Sequence, residues 1–130
     1  MSTNSNSTTL SLKELIKEKE TLLNLLDKVS NLIRTCENQL VELKFHFPFK
    51  VCIKEEDSIK VYISWELVKE DSKNYRLFLL IESEVEQILR KPFIETNLEI
   101  RLKYSSYLGK FIDRYTDYLK EINEKFIGIL

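Results

Sequence analysis

Glycine is nearly absent: Gly109 and Gly128 are the only two in 130 residues. That excludes a glycine-rich phosphate-binding loop. Histidine is scarcer still. His46 stands alone, and the two cysteines, Cys36 and Cys52, lie far apart and match no zinc-binding spacing. A Ser–His–acid or Cys–His site would have to be built on His46, yet Cys52 lies six residues on, roughly 20 Å along an extended strand. The expectation is therefore no catalytic residues, no metal, no cofactor and no enzyme activity. No apolar run approaches the ~18 residues of a membrane span, and no basic start followed by an apolar run marks a leader. Unpaired cysteines then point to a reducing, cytoplasmic setting.

Charge of one sign is also lacking. Twenty basic and twenty-one acidic side chains leave a net charge of −1. The balance holds in each third of the chain, at six against six through Lys44, six against seven through Glu82 and eight against eight thereafter. With no basic arm there is no evident source of attraction to a phosphate backbone, so nucleic acid is not an expected partner. Carboxylates do cluster at Glu55-Glu56-Asp57 and at Glu82, Glu84 and Glu86. The first group reads as a solvated hairpin turn and the second as the favourable charge at a helix start.

What the chain has in quantity is apolar side chains, 43% of the total against 32% charged, the composition of a folded domain. They are patterned first as a long helix from Leu10 to Leu43. Read in sevens, Leu12, Lys19, Leu26, Ile33 and Leu40 take one seam position, and Leu15, Leu22, Val29, Cys36 and Leu43 the other. This is coiled-coil spacing. Ile16, Leu23, Leu25 and Leu32 widen the stripe beyond what one partner helix need cover. Ser11 and Glu14 have capping-box spacing, and the polar residues 1–9 read as a disordered tail before a single domain spanning 10–130. Cys36, within the seam, reads as a small apolar group.

At Phe45 the period falls from 3.6 to 2. Phe45 to Ile53, Ile59 to Leu67 and Tyr75 to Ile81 alternate apolar and polar residues across short polar turns, which predicts a three-stranded antiparallel meander. Pro48 suggests an edge or a bulge in the first strand. Ser83 and Glu86 have the spacing of a second capping box, opening a short helix through Val85, Ile88 and Leu89 that Pro92 stops. Thr96 and Glu99 open a last helix from about Asn97 to Phe126, with Tyr104, Tyr107, Phe111, Tyr115 and Tyr118 along one flank. The expected fold is α+β: a long N-terminal helix, the meander, a short helix and a long C-terminal helix, with the helices packed on one sheet face.

Two features stand apart from this scheme. Arg101 falls on the aliphatic flank of the last helix, where a charge must snorkel out or find a carboxylate such as Glu14, Glu18, Glu95 or Glu99, unless it binds a small anion. The second sheet face carries Tyr62, Val68, Phe78 and Leu80 among charged residues, an apolar centre with a polar rim. These features, with Leu22, Leu26, Val29 and Ile33 as an oligomer seam, predict a non-catalytic protein-binding module: an adaptor, chaperone or inhibitor, homo-oligomeric through its first helix. Small size and a Lys/Asn/Ile-rich composition fit an inhibitor encoded by a mobile element. The alternatives are a small-anion sensor using Arg101, or a weak nucleic-acid-binding protein.

Overall fold

A left-handed residue, not a glycine, ends the long helix. The computed structural model describes residues 2–69 and 74–129, with side chains from residue 7 onward. In it α1 runs Ser2–Glu42, and Lys44 follows at a φ of 57°. The Lys44 N–H bonds the Val41 carbonyl and the Phe45 N–H bonds the Leu40 carbonyl, both at 3.0 Å, which is the bond pair of a Schellman stop. Neither glycine has a positive φ. The helix begins eight or nine residues before the expected cap, so residues 2–9 are helical rather than a tail, and Ser11 lies inside the helix. Once a long helix is anchored, each added turn forms its own hydrogen bonds, and polar side chains do not prevent that.

Four antiparallel strands follow, β1 Phe49–Glu56, β2 Ile59–Leu67, β3 Tyr75–Glu82 and β4 Gln87–Pro92, in spatial order β1-β2-β3-β4. Asp57 and Ser58, at φ 51° and 65°, form the two-residue turn between β1 and β2, where two left-handed residues match the strand twist. The turn expected from Lys69 to Asn74 falls largely outside the described residues, although the Val68 N–H bonds the Asn74 carbonyl at 2.8 Å. The register shift in β1 lies at Ile53, between Cys52 and Lys54, not at Pro48.

The fourth strand corrects the expected short helix. Ser83 Oγ accepts from the N–H groups of Val85 (3.4 Å) and Glu86 (3.2 Å), as a helix cap would, but here the same bonds close a hairpin. Val85 is left 91% exposed. The signal for a fourth strand was in β3 itself, where Leu77, Phe78, Leu79 and Leu80 are all buried. A continuous apolar run belongs to an interior strand with a neighbour on each side.

Expected strand residues 45–48 form a loop instead, and β1 starts at Phe49. Pro48 has no N–H for a ladder. The preceding carbonyls are taken by three aromatic side chains: Trp65 Nε1 donates to Phe45 O (2.7 Å), Tyr75 Oη to His46 O (2.9 Å) and Tyr115 Oη to Phe47 O (2.6 Å). Burial, with Tyr75 and Tyr118 nearby, pushes the Tyr115 hydroxyl up to about 12. It remains a donor throughout the ordinary pH range.

After a 3-10 turn, Phe93–Glu95, come α2 (Leu98–Tyr104) and α3 (Leu108–Phe126), split by a second such turn at Ser105–Tyr107 where one helix was expected. The cap of α2 is Asn97, whose Oδ1 accepts from the Ile100 N–H at 3.0 Å; Thr96 instead donates back to Phe93 O at 2.7 Å. The core lies between the odd-numbered sheet face and the helices. Val51, Ile63, Trp65, Leu77 and Leu79 meet Ile33 and Leu40 of α1, Phe93, and Tyr104, Leu108, Phe111 and Tyr115. The tyrosine flank is thus largely core.

One carboxylate ties α1 to the sheet. β4 stops opposite Phe78, at Pro92, so the next N–H of β3, that of Leu77, has lost its strand. Glu37 of α1 accepts it at 2.9 Å and also meets Arg76, which Glu95 holds from the other side. Burial pulls the Arg76 guanidinium down, but its bonds to Glu95 and Glu37 more than offset this, and its net shift is upward.

Two outcomes follow from these contacts. Lys44→Gly removes the side-chain clash of the left-handed conformation and should stabilise the fold by about 1 kcal/mol in urea melts. A loss of stability would contradict that reading of the helix stop. Glu37→Leu orphans the Leu77 N–H and should cost about 2 kcal/mol. A change within experimental error would mean the bond contributes nothing.

Candidate functional site

The domain covers only half of α1. Ser30, Ile33 and Leu40 are buried, Cys36 is half-buried against the core, and Leu26 and Val29 are half-buried. Arg101 Nη1 donates to Ser30 Oγ at 2.9 Å, which fixes where α2 crosses α1. N-terminal to that crossing the same stripe continues without cover. Leu12 is 53% exposed and Leu15 64%, with Leu10, Ile16, Leu22, Leu23 and Leu25 also exposed. From Ser2 to Leu25 this overhang is ~36 Å long. Isolated exposed leucines need no explanation, but a periodic row of them on one helix face does.

The expected oligomer seam divides at this point. Leu22 is exposed and belongs to the overhang. Ile33, with no accessible surface, belongs to the core of its own chain, and Leu26 and Val29 lie at the boundary. Intramolecular packing has taken the second half of the heptads, so a seam between chains is available only before them.

Cys36 keeps the apolar role. Burial, helped by the Glu37 charge, pushes its thiol up to about 11. Cys52, on β1, is half-buried with Sγ 3.5 Å from the Lys54 carbonyl.

Tyr62, Phe78 and Leu80 do share the even-numbered sheet face. Tyr62 pairs with Leu80, and Phe78 sits two positions on, opposite Ser64. That face has its own cover. Lys50 Nζ lies 4.2 Å above the Tyr62 ring and 3.2 Å from Glu82, and Arg90 lies 4.3 Å above Phe78 and 2.8 Å from Glu66. Phe78 keeps 4% of its surface and Leu80 5%. Long cationic side chains, held by carboxylates, close over the rings where an open apolar patch was expected. Val68 is not part of this group. It lines a cleft of about 400 Å³ with Glu37, Val41, Trp65 and Tyr75.

Arg101 is partly buried, but its expected carboxylate is missing. No acid lies within ion-pair distance among the described residues, its neighbour is the Ser30 hydroxyl, and its buried Nε has no partner. The reason is direction. Ser30 lies beside Arg101, while Leu40 shares a cleft with Tyr115 and Leu119, so α1 runs alongside α2 and α3 in the same sense. Glu14 and Glu18 are therefore out on the overhang, and Glu95 is engaged by Arg76.

His46 is exposed, stacked on Tyr75 with ring centroids 5.7 Å apart. The carboxylates at Glu55 and Glu56 pair with Lys60 and Lys54. Among the described residues no three His, Cys, Asp or Glu side chains are grouped to hold a metal, and no helix is long and apolar enough to cross a membrane. Two further clefts are open: one of about 490 Å³ between β1 and α3, lined by Lys50, Arg114, Asp117, Tyr118 and Glu121, and an apolar one of about 290 Å³ beside Leu40, Phe45, Ile112 and Leu119. Arg101 lines none of the three. No protein-family model matches the chain, and no curated protein or solved structure is significantly similar to it.

The two cysteines give a direct check. With its thiol raised to about 11, Cys36 is neutral at pH 8, and only the thiolate attacks an alkylating reagent. Iodoacetamide at pH 8, followed by peptide mass mapping, should modify Cys36 far more slowly in the folded protein than in urea. The native rate should keep climbing toward pH 11. Equal folded and unfolded rates would show that the helix does not bury the thiol.

Proposed function

We infer that this chain is a non-catalytic protein-binding module whose recognition element is the first half of α1. One observation carries the reading: the apolar stripe that packs into the core at Ile33 and Leu40 continues through Leu22, Ile16, Leu15 and Leu12, all of them exposed among the described residues. An amphipathic helix offering such anchors is a common currency of protein recognition, in which one partner supplies the stripe and the other the groove. The charge balance supports a protein partner over a nucleic acid. Between Leu10 and Lys28 the basic residues Lys13, Lys17, Lys19 and Lys28 are matched by Glu14, Glu18, Glu20 and Asp27. The finished even face of the sheet makes α1 the stronger candidate surface, with Tyr62 as the remaining contact there. An adaptor, chaperone or inhibitor would all use this arrangement.

Leu12→Glu combined with Leu15→Glu and Leu23→Glu tests it. These side chains are exposed, so the thermal transition of the domain should move by no more than a few degrees. Binding to whatever protein, or second copy, co-purifies with the tagged wild-type chain from its native host should be lost. If the triple variant keeps every partner, α1 is not the recognition element.

A further inference from the structure

We propose that the outer edge of β1, from Phe49 to Cys52, is a second recognition site. It takes one extended segment of another protein as a fifth strand, laid in the groove between β1 and α3. The site is separate from the α1 stripe and does not depend on it.

The register leaves this edge open. Leu77 sends its N–H away from β2, to Glu37. Trp65, directly opposite Leu77, therefore bonds to β1, and so does Ile63. Their partners Phe49 and Val51 bond inward, which points the N–H and C=O groups of Lys50 and Cys52 out of the sheet. β1 ends the strand order, so no strand meets them. On either side α3 takes the backbone carbonyls: Tyr115 Oη donates to Phe47 O (2.6 Å) and Lys110 Nζ to Ile53 O (3.4 Å). Between those two bonds no protein group among the described residues takes the backbone of Lys50 or Cys52. A lysine on an edge strand commonly blunts it, but Lys50 is drawn away over Tyr62 and to Glu82.

A groove accompanies the open edge. The cleft of about 490 Å³ is lined by all four residues from Phe49 to Cys52. Neighbouring side chains point to opposite faces, so a cleft that meets all four runs along the strand edge and not over one face. Four residues, about 13 Å, is the length of a short added strand. The far wall is one side of α3, formed by Arg114, Asp117, Tyr118 and Glu121. Alternating donors and acceptors on a strand edge are matched by another extended backbone, and the wall beside them gives the selectivity.

Charge and cover identify the occupant. Lys110 reaches Ile53 while the Tyr118 ring stacks on Phe49 at 4.8 Å, so α3 runs opposite to β1. That sets Asp117 and Glu121 toward the Phe49 end and Arg114 toward Val51. All three are exposed and form no ion pair among the described residues. A segment with a Lys or Arg facing the two acids complements this wall. A second copy paired through its own β1 does not, because its wall-facing side chains, Phe49 and Val51, are already packed in its own core.

Octapeptides selected on the full chain from a random phage-displayed library are the probe. Each is synthesised and followed by titration calorimetry and amide hydrogen exchange. The expected binders carry a Lys or Arg and slow exchange at the Lys50 and Cys52 amides, while Val51, already bonded to Ile63, changes little. N-methylation of one alternate set of peptide amides should weaken binding about tenfold or more, and of the other set should not. Asp117→Lys with Glu121→Lys should weaken it similarly and leave the thermal transition in place. The Leu12, Leu15 and Leu23 triple variant should bind the peptides normally, which separates this site from α1. A library without binders overturns the proposal, as do binders that protect other amides, indifference to the charge reversal, or N-methylation effects without alternation. Slow exchange at Lys50 and Cys52 in the free chain at high concentration would place a second copy on the edge and overturn it too.

Discussion

Ile33 has no accessible surface, while Leu12 and Leu15, on the same stripe of the same helix, keep more than half of theirs. That contrast governs the molecule. A row of aliphatic side chains is favourable only where something removes it from water. The sheet and α2–α3 are long enough to do so from Leu26 to Leu40 and no further. Glu37 then anchors the covered half through the orphaned N–H of Leu77, and Arg101 meets Ser30 at its upper end. The covered half is core, and the uncovered half is exposed apolar surface.

The rest of the domain is closed off by other means. The rings of the even sheet face are sheltered by Lys50 and Arg90, each restrained by a carboxylate. Surface ion pairs stabilise little by themselves. Their effect here is to hold two aliphatic stems flat against aromatic surface. The link between α1 and the sheet, which a strand would have satisfied by pairing, is held by the hydroxyl and indole groups of Tyr75, Tyr115 and Trp65.

How much of this was legible beforehand depends on the range of the interaction that decides each element. β2 was read to the residue and β3 to within one, because alternation over eight or nine positions is a local property. The helical stripe of α1 was equally clear. Its first turns were not, because Ser, Thr and Asn favour caps over helix interiors. β4 was missed because Ser83 makes the same local bonds in a cap and in a hairpin, and the choice rested on the need of β3 for a second neighbour. Arg101 stands on the aliphatic flank of its helix, but which group meets it depended on the relative direction of two helices, which spacing does not encode. The division of the α1 seam is the clearest case. The heptads run on unchanged through Leu26, and only the extent of the folded domain decides which of them it covers.

The most direct measurement is amide hydrogen exchange along α1, comparing the wild-type chain with the Leu12→Glu, Leu15→Glu, Leu23→Glu variant. A helix half held only by a partner should lose protection when that partner is removed, whereas a half held by its own domain should not. The account predicts that amides from Leu10 to Leu23 are protected in the wild type and exchange rapidly in the variant. Those from Ile33 to Leu40, and those of β2 and β3, should stay as protected as before. Loss of protection across the sheet as well would contradict it, because the exposed stripe would then belong to the core. Unchanged protection from Leu10 to Leu23 would contradict it equally, because that half of the helix would need no partner.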